Sequence, residues 1–165
     1  MIEKLCIVED EDTFQVFSAA IERGNVGLCQ TLLKWRPALV NTKFKDTDSP
    51  GCAMFIPSLH FAAAKGSLRD GPDSIKTFEA ILSVSPGSLE QRSSDGRTPL
   101  FYAVRGHATH ILELMIAKGV DMWATDDNGR CALHYCRQQP TVDLFLQRGA
   151  DKHAIDLLGL SLIHI

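Results

Sequence analysis

Cysteine and histidine are the side chains of this sequence best suited to metal binding or nucleophilic catalysis, and the chain has five cysteines and six histidines. The tightest group is Cys131, His134 and Cys136. A tetrahedral zinc site needs a fourth ligand, and the sequence does not place one. Cys29 or Cys52 could be combined with a distant histidine, but any chain rich in both residues allows that pairing. We therefore expect no metal site and no catalytic cysteine–histidine dyad.

The cysteines are also not expected to form a disulfide framework. Their number is odd and their spacing irregular, and such a pattern without a secretory signal predicts reduced thiols. Residues Met1–Asp12 contain one lysine, a short apolar patch and a run of acidic residues, which is unlike a signal peptide. These features predict a cytoplasmic protein.

Motifs and composition exclude several other function classes. The sequence contains no Gly-x-Ser-x-Gly elbow, no His-Glu-x-x-His and no phosphate-binding loop, so we expect no catalytic residues and no cofactor. The net charge is −3 with mixed signs, whereas a nucleic-acid binder should show a basic stripe. No apolar run approaches the roughly 18 residues that a membrane span needs. We therefore expect neither nucleic-acid binding nor membrane insertion.

A repeated sequence pattern predicts the secondary-structure elements that position these side chains. Residues 95–100 read Asp-Gly-Arg-Thr-Pro-Leu, and residues 128–134 repeat this opening about 33 positions later as Asn-Gly-Arg-Cys-Ala-Leu-His. Each copy closes on Gly-x-Asp, at residues 119–121 and 149–151. The Asn-Gly pair that opens the second copy is a signal for a tight turn.

The first of these copies predicts two helices. Thr98 suits a helix N-cap and Pro99 the first helical position, so a helix should begin at Pro99. His107 and Ala108 should form the turn into a second helix, whose apolar residues have helical spacing. Gly119 should end that helix, because glycine readily adopts the left-handed backbone found there. The unit is helix, turn, helix and projecting loop.

The spacing of about 33 residues, together with the turn and helix-end residues, resembles the ankyrin-repeat family. The resemblance implies an all-α solenoid of about four helix-turn-helix repeats with projecting loops, forming a single domain over residues 1–165. The repeats are expected at about residues 13–43, 55–92, 93–125 and 126–155.

The resemblance also explains the residues that first suggested chemistry. Cys131, His134 and Cys136 take the threonine, histidine and alanine positions of the repeat opening. His60, His134 and His164 occupy the family's histidine position. There the imidazole is expected to hydrogen-bond within and between loops rather than to act in catalysis.

Residues 156–165 open a fifth copy, and the chain stops before its helices. Because a repeat cannot bury its apolar face alone, arrays usually end in a polar cap. This end is instead rich in leucine and isoleucine. We expect a truncated fifth repeat and a fragment of a longer protein. The alternative is that the apolar tail folds back or associates with another copy, although a monomer is otherwise expected.

Proteins of this resemblance usually bind another protein through their loop tips and the exposed side of each first helix, which line a concave surface. The resemblance therefore implies a protein partner. The residues expected to contact it are Phe44, Lys45, Phe61, Lys65, Tyr102, Arg105, Trp123, Asp126, Tyr135 and Arg137. Their aromatic and basic character predicts a partner with apolar residues and acidic flanks.

Alternatives remain open for several of these positions. Phe61, Tyr102 and Tyr135 could instead pack against neighbouring helices, and Trp123 could be half-buried at the root of its loop. Two insertions, at residues 42–54 and 67–74, lengthen connections in a compact array. The first should project from the loop edge, so we favour it as a contact site.

The resemblance also suggests a modification site. Asn41 follows Val40 and lies eight positions after Leu33, which is similar to the loop asparagine that an oxygen-dependent hydroxylase modifies in many ankyrin repeats.

The sequence thus predicts a protein–protein interaction module in the cytoplasm. The alternative is the targeting arm of a longer multidomain enzyme, such as a bacterial effector acting on host proteins in the host cytosol, with its catalytic domain after residue 165.

Overall fold

The computed structural model describes residues 10–45, 55–66 and 72–149 of the protein. Helices dominate this part of the chain, with one short hairpin between the second and third of them. The elements are α1 (Asp10–Glu22), α2 (Val26–Trp35), β1 (Lys43–Lys45), β2 (Phe55–Pro57), α3 (Ser58–Lys65), α4 (Pro72–Val84), α5 (Pro99–Arg105), α6 (Thr109–Ala117) and α7 (Gln139–Gln147). Three short 3₁₀ helices span Pro37–Asn41, Pro86–Glu90 and Ala132–Tyr135.

The helices form two stacked layers. Within each pair, α1 packs on α2, α3 on α4 and α5 on α6. Between pairs, α3 contacts both α1 and α5, and α5 contacts the 3₁₀ helix Ala132–Tyr135, so these first elements form one layer. The second layer contains α2, α4 and α6, with α4 packed against both of the others. One continuous apolar core lies between the layers.

The predicted helix boundaries are found at the third pair. Helix α5 begins at Pro99 with Thr98 as its N-cap, although the threonine hydroxyl makes no capping hydrogen bond. The turn into α6 contains His107, whose φ is +58°. Gly119 follows α6 with a φ of +78°, the left-handed conformation expected there.

Small residues let neighbouring first helices approach closely. A Cβ atom added to Gly106, just after α5, would overlap the carbonyl oxygen of Ala64 in α3 and lie 3.1 Å from its carbonyl carbon. Ala62, Ala63 and Ala64 are all buried in the same helix. The distance between α3 and α5 is therefore limited by backbone atoms rather than by side chains.

The insertion at residues 42–54 is not entirely loop, because its first part forms β1. This strand pairs antiparallel with β2, with Phe44 opposite Ile56 and Lys45 opposite Phe55. Phe44 stacks between Phe14 and Phe61, at ring-centroid distances of 4.9 and 4.6 Å. The all-α expectation holds for the rest of the described architecture.

The fourth repeat differs from expectation in two respects. Its first helix is a single 3₁₀ segment, Ala132–Tyr135, rather than an α-helix. The fourth copy is three residues shorter between Leu133 and Gly149 than the third copy is between Leu100 and Gly119, which predicts a shortened turn containing Pro140. In the structure, Pro140 lies in the first turn of α7 instead. Proline is tolerated there because the first-turn N–H groups lack intrahelical partners. The short spacing before Gly149 is thus absorbed by shortening the first helix.

Some expectations fall outside the described residues. These are residues 46–54 of the first insertion, which the sequence favours as a contact site, and residues 67–71 of the second. The partial repeat at 156–165 with its apolar tail and His164, and the thiols of Cys6 and Cys52, also lie outside the described residues. In residues 10–45, 55–66 and 72–149, no helix is both long enough and apolar enough to cross a bilayer.

Candidate functional site

The loop that opens the third repeat and the loop that opens the fourth are joined by a polar network centred on Arg97. Its guanidinium lies 2.8 Å from a carboxylate oxygen of Asp95 and 3.6 Å from one of Asp126, and it donates a 3.0 Å hydrogen bond to the Tyr135 hydroxyl. Tyr135 in turn donates to Asp126 at 2.6 Å. Arg92 adds hydrogen bonds to the carbonyls of Gly96 and Thr125. The loop tips are therefore held by one another.

Asp126 is a structural carboxylate rather than an exposed contact residue, which corrects the expectation for this position. Its side chain is buried, and its Oδ1 accepts hydrogen bonds from the backbone N–H groups of Asn128 and Arg130. Burial acts to raise the pKa of Asp126. The hydrogen bonds from Tyr135, Arg130 and Asn128, together with the charge of Arg97, outweigh burial and lower it. Asp126 thus stays ionised at neutral pH as the acceptor that closes this loop.

Three of the expected aromatic and apolar anchors are also core residues. Phe44, Phe61 and Tyr102 are 2%, 5% and 1% exposed. Phe61 stacks on Phe44, while Tyr102 meets the His60 ring edge-to-face at 5.3 Å. The ring of Tyr102 therefore packs against the neighbouring first helix α3, whereas that of Phe61 packs against the hairpin strand β1. The expectation that these side chains are exposed anchors is wrong.

Tyr135 is half-buried, and much of it is engaged within the chain. Arg97 lies over its ring at 4.7 Å from the centroid, and Phe101 meets it edge-to-face at 5.8 Å. Burial and the hydrogen bond to Asp126 raise the pKa of the Tyr135 phenol, so it remains a neutral donor. Whether Tyr135 contacts a partner stays a prediction.

Cations cover the buried rings along the first-helix layer. Lys65 places its Nζ 5.6 Å from the centroid of Phe61, and Arg105 places its guanidinium 5.1 Å from that of Tyr102. Arg137 is exposed just after the next first element. Because α3, α5 and the 3₁₀ helix pack in that order, Lys65, Arg105 and Arg137 form what we call the basic row. On the first-helix face, the aromatic rings are thus buried and the cations lie over them, nearer to solvent.

The loop tips present other residues. Trp123 is 46% exposed, with its ring edge-to-face with Phe145 at 6.5 Å. Its backbone N–H donates a hydrogen bond to the Asp121 carboxylate, which fixes the backbone at the root of the loop, while the contact with Phe145 positions the indole. On the hairpin, Phe44 points inward while Lys45 and Phe55 point outward, and Phe55 is 55% exposed. Sequence analysis missed Phe55; alternation along both strands is the signal that could have identified it.

Comparison with known proteins now decides the family. A family model described as ankyrin repeats (three copies) matches residues 59–156, which is more than half of the chain. The chain belongs to the ankyrin-repeat family. Ankyrin repeats are non-catalytic protein–protein interaction modules.

Curated relatives share the ankyrin repeats over part of their length. The chain is 29% identical over 84 residues to the target of rapamycin complex 2 subunit AVO2 of Saccharomyces cerevisiae, a match covering 51% of this chain and 18% of that protein. It is 35% identical over 83 residues to neurogenic locus notch homolog protein 1 of Mus musculus and 34% identical to that of Homo sapiens, covering 48% of this chain and 3% of each. The chain thus matches less than a fifth of the length of these relatives.

His60 shows how an ankyrin histidine joins adjacent repeats. Its Nε2 lies 3.1 Å from the backbone carbonyl oxygen of Arg97, in the loop of the next repeat. His134 instead caps its own 3₁₀ helix, with Nδ1 accepting a hydrogen bond from the backbone N–H of Cys131 at 3.2 Å. Both imidazoles thus make the loop contacts that the ankyrin resemblance implies.

The thiols of the ankyrin repeats are structural where the structure describes them. Burial raises the pKa of the Cys29 thiol to about 11 and also raises those of Cys131 and Cys136. Cys136 donates to the carbonyl of Gln138 at 3.3 Å, away from the Cys131–His134 pair. In the three described ranges, no cluster of three or more histidine, cysteine and acidic side chains could hold a metal ion. Protonated, partly buried thiols are poor nucleophiles and poor metal ligands.

Asn41 lies at the end of the first 3₁₀ helix and is exposed. Its hydroxylation stays a prediction.

Proposed function

We propose that this ankyrin-repeat chain is a recognition module that binds a partner protein through its concave first-helix face and its loop tips. The observation that supports the proposal is the basic row. Lys65 and Arg105 each lie over a buried ring, and Arg137 continues the row.

The chemistry of the basic row favours a partner with acidic side chains. Cations held against aromatic rings lose less side-chain entropy on binding than freely rotating ones. The exposed indole of Trp123, on the loop that follows α6, adds an apolar contact of the kind enriched in binding hot spots. We therefore expect a polypeptide with carboxylates spaced to meet successive repeats and with apolar residues between them.

Charge reversal of the basic row provides the test. The variant carrying Lys65→Glu, Arg105→Glu and Arg137→Glu should bind a partner captured by the wild-type chain at least about tenfold more weakly, as expected when several contacts change from attraction to repulsion. The measurement is affinity capture from a eukaryotic cytosolic lysate with mass spectrometry, followed by titration of the purified partner.

The matched control reverses three exposed cations that lie outside the first-helix layer, in α4 and just after α6 and α7, with Lys76→Glu, Lys118→Glu and Arg148→Glu. This variant should bind the partner as the wild type does, and both variants should keep a wild-type melting temperature to within a few degrees. The proposal would be contradicted by a partner that still binds the basic-row variant but no longer binds the control variant.

A second candidate is the targeting arm of a longer multidomain protein. The curated relatives support it, because in them the matched repeats form a small part of a much longer chain. We further propose that the protein acts in the cytoplasm as a monomer and binds neither nucleic acid nor membranes. Determining the full open reading frame and testing its product for activity with and without residues 1–165 would separate the two candidates.

A further inference from the structure

The hairpin of β1 and β2 has two chemically different faces. On the inner face, Phe44 is opposite Ile56, and both side chains are buried. On the outer face, Lys43 and Lys45 flank Phe44 in β1, and Phe55 lies directly opposite Lys45. We call Lys43, Lys45 and Phe55 the hairpin face. All three of its side chains are exposed.

The hairpin face is anchored before any partner arrives. Phe44 is stacked between Phe14 of α1 and Phe61 of α3. At the base of the hairpin, the Ser58 hydroxyl donates a 2.5 Å hydrogen bond to the carbonyl of Val40. A preorganised surface avoids part of the ordering cost of binding.

The hairpin face also differs in charge from the rest of the chain. The protein carries a net charge of −3, yet the two described strands contain two lysines and no acidic side chain. An exposed phenylalanine beside two lysines matches a ligand that offers carboxylates next to an apolar group. Charge complementarity therefore favours an acidic ligand that also carries an apolar group.

We propose that the hairpin face is a docking site for an acidic segment of a partner protein that carries one large apolar side chain. Phe55 packs against the apolar side chain, and Lys43 and Lys45 pair with the flanking carboxylates. The site extends the proposed function by adding a contact separate from the basic row. It rests on that function in one respect, which is that the ligand is a protein.

Fluorescence anisotropy with defined peptides tests this site on the complete 165-residue chain. The probe is a short fluorescein-labelled peptide of aspartate and glutamate with one central phenylalanine. Two comparison peptides replace the phenylalanine by serine or the acids by their amides. Wild-type protein should bind the probe best, and binding should weaken as salt is raised. Lys43→Glu with Lys45→Glu, and separately Phe55→Ser, should each weaken binding about tenfold.

The chain provides a matched control on another surface. Lys34 and Trp35 are a neighbouring exposed lysine and aromatic residue at the end of α2. Lys34→Glu with Trp35→Ser should leave peptide binding at the wild-type value. Asp46 and Asp48, which follow β1 in the sequence, stay unchanged in every variant.

The proposal would be overturned by no binding of the probe to the wild type, by equal binding by the hairpin variants or by an equal loss in the Lys34 and Trp35 control. Binding of phosphatidylserine vesicles rather than peptide by the hairpin face would also overturn it. The basic-row variant should still bind the probe. If it alone loses the probe, the acidic ligand belongs to the basic row, so the hairpin proposal fails while the proposed function stands.

Discussion

Replacing Gly96 with alanine is expected to lower the free energy of unfolding by about 3 kcal/mol. Gly96 has a φ of +77°, where an alanine costs about 1–2 kcal/mol. Its Cβ would also overlap the carboxylate of Asp127 and lie 2.9 Å from the Asp127 backbone nitrogen. Overpacking of this kind costs a further 1–3 kcal/mol or so. Urea denaturation followed by circular dichroism measures the difference.

Gly119 supplies the matched control for this prediction. Its φ is +78°, nearly the same as that of Gly96, but no atom lies within 4 Å of where its Cβ would be. Gly119→Ala should therefore show the backbone cost alone, about 1–2 kcal/mol. Equal losses in the two variants would mean that contact between the loops at Asp127 has no energetic role.

The stability of the protein should fall by about 3 kcal/mol between pH 6.5 and pH 4 through His60 alone. Burial lowers the pKa of His60 to about 4, and the backbone of Arg97 and Gln91 and the charge of Asp95 oppose this shift without reversing it. In the unfolded chain the pKa is about 6.5. Between these values the unfolded state binds more protons, so stability rises with pH across this window and is fully present above it.

A variant without a titrating group isolates this contribution. His60→Gln is expected to be less stable than the wild type at pH 7, because the fit to the Arg97 carbonyl and the ring contact with Tyr102 are lost. Its free energy of unfolding should change less between pH 6.5 and 4 than that of the wild type, by about the amount assigned to His60. Parallel pH profiles would contradict a buried, neutral His60.

Much of the helical architecture could be predicted from local chemistry. Pro99 and Gly119 mark helix ends through backbone preferences that do not depend on distant contacts. The spacing of the openings at residues 95–100 and 128–134 identified the repeat, and the family match confirms it. The 3₁₀ helix Ala132–Tyr135 could not be predicted, because its shortening depends on where α7 starts.

The candidate site was harder to predict, because exposure depends on strand and helix register. Phe44 and Phe55 are both aromatic residues of one insertion, and only pairing in the hairpin determines which of them is buried. Tyr102 follows the repeat pattern of an exposed position but fills space between first helices. Among the cations, Lys45 and Arg137 are exposed, whereas Lys65 and Arg105 are half-buried, and their contact with a partner stays a prediction.

The close approach of Gly106 to Ala64 has a consequence for how the first-helix face that carries the basic row can change during evolution. Backbone atoms, rather than side chains, limit the spacing of α3 and α5. Substitutions at Lys65 or Arg105 can then alter the charge offered to a ligand without changing the curvature of the array. A mutation at Gly106 would do the reverse, opening the array while keeping its chemistry. The spacing of the repeats and the charge that they present are thus controlled by different residues.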